Sequence, residues 1–106
     1  MHGLTVQIVR FVDSHQPGWV ECELVDAEGR RHLIIDKAPV FSAENLEADS
    51  EYPVTATMRC EVLKRYQDEA GHDLVRVSTT RPDSIESTEG LSEFTVPANL
   101  ITPMPD

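Results

Sequence analysis

Between Pro53 and Leu63 apolar and polar positions alternate without a break: Val54, Ala56, Met58, Cys60 and Val62 on one parity, Thr55, Thr57, Arg59 and Glu61 on the other. A period of two places successive side chains on opposite faces of an extended chain, and a helix does not produce it over this length. The pattern predicts a strand with one face in a core.

The same reading finds strands elsewhere. Leu4, Val6 and Ile8 share a face, but Val9 and Phe11 fall on the other, so a first strand over 4–12 is expected to carry a bulge near Ile8-Val9. Asp13 to Gly18 is dense in turn formers. Val20, Cys22 and Leu24 alternate with Glu21 and Glu23 in a second strand, and Asp26-Ala27-Glu28-Gly29 turns it into a third over 31–36. Pro39 stops that strand. Ser42 is a candidate N-cap for one or two helical turns over 42–47. After the strand at 54–62, Gln67 to Gly71 makes a turn and 74–79 a strand. A four-residue loop between Tyr66 and Gly71 would set Val62 opposite Val75 and Cys60 opposite Val77, apolar against apolar. Asp83 to Gly90 supplies little core and reads as a mobile acidic loop over 82–90. Residues 91–96 form a closing strand, and 97–106 a proline-containing tail or strap. No internal repeat is apparent.

These elements add up to a mostly β, small single-domain β-barrel over residues 1–106. Three strands, a short helix, a two-stranded hairpin and a closing strand resemble the oligonucleotide/oligosaccharide-binding (OB) barrel, whose helix also lies between the third and fourth strands. The resemblance covers residues 4 to 80, rests on element order and carries over no functional residue.

Composition narrows the functional classes. The chain has 106 residues, 40% hydrophobic and 26% charged, enough apolar material for one core. Nineteen acidic against nine basic side chains give a net charge of −10, which disfavours nucleic acid as a general partner. No apolar run is long enough to span a bilayer, and Met1-His2-Gly3-Leu4-Thr5 lacks a basic segment followed by an apolar one, so no membrane association and a cytoplasmic location are expected. Cys22 and Cys60 alternate with polar residues and read as buried thiols.

No constellation in the sequence announces chemistry. His2, His15, His32 and His72 occur singly, without metal-ligand spacing, so no metal or other cofactor is expected. Asp13-Ser14-His15 has the residue types of a hydrolase triad, but sequence neighbours rarely meet in that geometry. His72-Asp73 beside Asp68 and Glu69 is the most charged tip in the chain. The acidic run Glu44, Glu47, Asp49, Glu51, and a second at Asp83, Glu86, Glu89 and Glu93, point by their sign to a basic partner.

Three functions are therefore expected in order. The first is a non-catalytic adaptor or inhibitor/immunity-type domain that presents acidic loops to a basic protein surface. The second is an OB-like module binding single-stranded nucleic acid or another extended ligand through Trp19, Tyr66, Arg59 and Arg76. The third is an enzyme whose carboxylates and His72 converge only on folding; a structure in which no pocket holds two or more of these groups would remove it. An exposed strand edge would also let two copies form a homodimer by sheet extension.

Overall fold

In a computed structural model, which describes residues 1–15, 18–42 and 46–104, the alternating stretch forms the longest strand. The strands are β1 (His2–Asp13), β2 (Trp19–Val25), β3 (Arg31–Lys37), β4 (Val54–Gln67), β5 (Asp73–Ser78), β6 (Glu93–Pro97) and β7 (Ile101–Pro103). All pairings are antiparallel. The sheet runs β3-β2-β1-β4-β5-β6, with β7 also on β1, and curls into a half-barrel.

Alternation sets the inner face. Leu4 opposes Met58 across β1 and β4, and Ile8 opposes both Val54 and Cys22. Leu4, Ile8, Cys22, Ile34, Met58, Cys60, Val75, Val77 and Val96 are completely buried. Each large aliphatic side chain so removed from water contributes roughly 1.5–3 kcal/mol before entropy is counted. The register of β1 against β2 shifts between Ile8 and Arg10, where the sequence phase slips.

β4 makes two different pairings. Val54–Cys60 lies against β1 and Glu61–Gln67 against β5. A further irregularity separates Val62 from Lys64, so Leu63 is an extra residue and is left 51% exposed. The expected hairpin register is corrected at the turn, where Gln67 faces Asp73 and Arg65 faces Val75, and beyond the bulge Val62 faces Val77 and Glu61 faces Ser78. The loop runs from Asp68 to His72, longer at its end than the apolar pattern suggested.

Two strand ends are joined without a ladder. Ala27 N–H donates to Thr95 O (2.9 Å) and Thr88 N–H to Leu33 O (2.8 Å), tying the β2–β3 turn to β6 and the β5–β6 connection to β3. That connection corrects a second expectation, because its polar sequence hides a core residue. Ile85 is completely buried, and Thr79, equally buried, donates its hydroxyl to Ile85 O at 2.8 Å. The strand expected over 91–96 is β6, which begins at Glu93 rather than Leu91.

The described residues contain no α-helix. Of the helical turns expected over 42–47, residues 43–45 lie outside the described residues, and the helical geometry that is described is a 3-10 turn at Ala38–Val40, before Ser42. β7 occupies the edge of β1 at His2–Leu4 that β2 does not reach. At Gly3 a Cβ would crowd both neighbours, overlapping the Thr57 methyl group of β4 and lying 3.0 Å from Met104 Sδ just beyond β7. Cys22 sits opposite Ile8 and Cys60 opposite His2, well separated along β1, and both thiols are free.

Candidate functional site

Three turns share one hydrogen-bond pattern, a repeat of turn chemistry that the sequence reading did not register. In Asp26–Arg30 the Asp26 N–H donates to Arg30 O and the Gly29 N–H to Asp26 O, while Asp26 Oδ1 accepts from the backbone of Glu28 and Arg30 at 2.9 Å each. In Asp68–His72 the Asp68 N–H donates to His72 O, the Gly71 N–H to Asp68 O, and Asp68 Oδ1 accepts from Ala70 and His72. Ser87–Leu91 repeats both backbone bonds with the serine hydroxyl as acceptor. Gly29, Gly71 and Gly90 have φ of 81°, 84° and 82°, which is why each turn carries glycine in its fourth place. The visible signal was Asp or Ser followed three residues later by Gly.

Two of these turns add a histidine. His32 Nε2 lies 2.8 Å from Asp26 Oδ2, and His72 Nδ1 3.0 Å from Asp68 Oδ2. Burial of Asp26 works to raise its pKa, but the His32 ring and the Arg30 and Glu28 amides outweigh it and hold the carboxyl below its usual range. The Asp68 carboxyl is held low first by the His72 amide and then by its ring.

The surroundings differ sharply. His32 is 4% exposed, packs edge-on against Phe94 with ring centroids 5.0 Å apart, and leaves Nδ1 buried without a partner. An ionised Asp26 carboxylate can only accept, so Nε2–H donates to it. His72 is 74% exposed. It lines a cleft of about 380 Å³ between the two turns, together with Ala27, Asp68, Asp73, Leu74 and the 97–99 segment. A second cleft, of about 250 Å³, opens at the seam beside Asp26, Arg30, His32, Arg76 and Glu93.

The first cleft brings together two carboxylates, Asp68 and Asp73, and the His72 imidazole, whose Nδ1 is engaged by Asp68. The condition that would have removed an enzyme is therefore not met. Among the described residues that line this cleft, none carries a hydroxyl or a thiol. Among the described residues no group of three or more His, Cys, Asp or Glu is arranged to hold a metal ion.

The residues singled out from the sequence are scattered. Glu44 lies outside the described residues. Glu47, Asp49 and Glu51 are exposed on the β3–β4 connection. Trp19 starts β2 opposite Asp13, with Lys37 Nζ 5.8 Å from a ring centroid, whereas Tyr66 lies six residues beyond the Cys60–His2 pair. The register thus sets the two aromatic residues at opposite ends of the sheet. Arg59 is bound by Asp83 through two hydrogen bonds, and Arg76 lies 3.5 Å from Glu93 and donates to Thr95. Asp13 binds the His15 amide and ring within the loop after β1, a local turn contact. No helix among the described residues is long and apolar enough to cross a membrane.

No family model, curated protein or solved structure matches the chain.

Proposed function

We propose that this protein is a non-catalytic binding domain that engages a basic surface of another protein through the acidic β3–β4 connection. The observation that carries this reading is a run of three exposed carboxylates, Glu47, Asp49 and Glu51, on a backbone that is held in place. Elsewhere Glu21, Glu23, Asp83 and Glu93 are matched by Arg10, Arg31, Arg59 and Arg76, while Asp36, Glu61, Glu86 and Glu89 join no ion pair among the described residues. Glu47, Asp49 and Glu51 are exposed and form no ion pair among the described residues.

Their backbone is nonetheless held. Tyr52 donates its hydroxyl to Glu47 O at 2.7 Å, and Ser50 Oγ accepts from Glu47 N–H at 2.9 Å. A preorganised acidic segment loses little freedom on docking and speeds encounter with a basic partner. In the triple variant Glu47→Lys, Asp49→Lys, Glu51→Lys, salt-sensitive capture of basic proteins by the wild type should be lost. Equal capture by wild type and variant would refute the reading.

An OB-like module is the second reading, supported by the sheet path, in which β1 lies between β2 and β4 as it does in that barrel. The OB ligand face on the second and third strands would here present Glu21 and Glu23, which favours a ligand other than a polyanion.

A further inference from the structure

We propose that the cleft between the Asp68–His72 turn and residues 97–99 receives a lysine or arginine side chain of a partner protein. The inference rests on the reading of a basic partner and gives that partner a second contact, apart from the β3–β4 connection. The two contacts lie at opposite ends of β4, whose 14 residues run from Val54, just after that connection, to Gln67, which is bonded to Asp73 of the cleft.

The lining matches both parts of such a side chain. Ala27, Leu74, Pro97 and Ala98 are half-buried and offer an apolar wall to the stem. Asp68, Asp73 and the Asn99 amide offer acceptors to the charged head. Long cationic side chains settle in this way, with the stem on apolar surface and the head partly in water. The cleft measures about 380 Å³, near the lower end of the range of roughly 300–1,000 Å³ that ligand clefts occupy.

Charge decides the sign of the occupant. No lysine or arginine is among the described residues that line the cleft, and its one base, the His72 imidazole, lies against Asp68. Two backbone amides and that ring favour the ionised form of Asp68. Gln67 donates to Asp73 Oδ1 at 2.9 Å, which positions the second carboxylate without neutralising it, and Asp73 joins no ion pair among the described residues. Arg65 lines an adjoining cleft with Tyr66 and Gln67. The seam cleft is the contrast: Arg30 and Arg76 stand there among Asp26, Glu28 and Glu93, a mixture that selects neither sign. A metal ion is poorly served at the hairpin, since no three His, Cys, Asp or Glu side chains converge among the described residues.

The test follows the backbone amides of the full chain by NMR during titration with Nα-acetyl-lysine methylamide or its arginine counterpart, and with the norleucine counterpart as the uncharged control. Saturable shifts are expected at Ala27, residues 68–74, Ala98 and Asn99, with either cationic probe binding about fivefold or more tighter than norleucine. Asp68→Asn with Asp73→Asn should remove that advantage, and Asp73→Asn alone, which leaves the Asp68 turn intact, should weaken cationic binding about twofold. The melting curve of each variant reports whether it folds. Absence of shifts at the cleft, equal binding of the norleucine probe, or unchanged affinity in the double variant overturns the proposal. The Glu47, Asp49, Glu51 reversal should leave probe binding unchanged, which separates the two contacts. Cleft shifts together with protein capture that survives the reversal support this site and refute the β3–β4 connection, whereas capture lost on reversal with no cleft shift does the opposite.

Discussion

The Asp26 and Asp68 turns are built from the same five-residue pattern and perform different work. Each aspartate accepts two backbone amides and one imidazole. At Asp26 the imidazole is buried against Phe94, and the next residue, Ala27, ties the turn to β6, so the motif closes the seam of the half-barrel. At Asp68 the imidazole stands in solvent at the tip of a hairpin. Local hydrogen bonding shapes both turns, and burial decides which one supports the fold.

The contrast predicts unequal costs for equal substitutions. Asp26→Ala removes the partner of two amides and leaves a buried imidazole with neither nitrogen satisfied, which should cost about 3 kcal/mol in urea unfolding. Asp68→Ala should shift the same transition much less, because water reaches its donors. Comparable losses would mean that burial does not separate the turns.

Glycine substitution should erase the difference. Gly29 and Gly71 have positive φ and open space around the position of an added Cβ. Gly29→Ala and Gly71→Ala should therefore each cost about 1 kcal/mol from backbone strain alone. A much larger loss at Gly29 would show that the seam turn is strained by more than its dihedral angles.

The pH effect should be the smallest. Both aspartates titrate below their ordinary value of 3.8, so each stabilises the fold above that pH and loses its contribution as the pH falls through the lowered pKa. The gap in urea midpoint between wild type and Asp26→Asn should be constant down to about pH 5 and narrow as the pH falls below 3.8. A gap that widens on acidification would reverse the assigned sign.

Much of the fold was legible because strand alternation is local. Ala56, Met58 and Cys60 are buried on the parity read from the sequence, and the bulge near Ile8 and Val9 lies where the phase slips. What escaped depended on distant partners. Leu63 breaks the register only because Val62 is drawn to Val77, and Ile85 is buried only because the β5–β6 connection folds back over the core. His32 looked like one of four isolated histidines, since neither its distance from Asp26 nor its contact with Phe94 is written in nearby residues. His72 among carboxylates was legible because its partner lies four residues away in the same turn.

Amide hydrogen exchange followed by NMR tests the division of labour between the turns most directly. The account predicts that the seam amides of Ala27 and Thr88 exchange only through global unfolding, while those of Ala70 and Gly71 exchange through local opening of the hairpin tip. Seam amides that exchange as fast as those of Gly71 would contradict it.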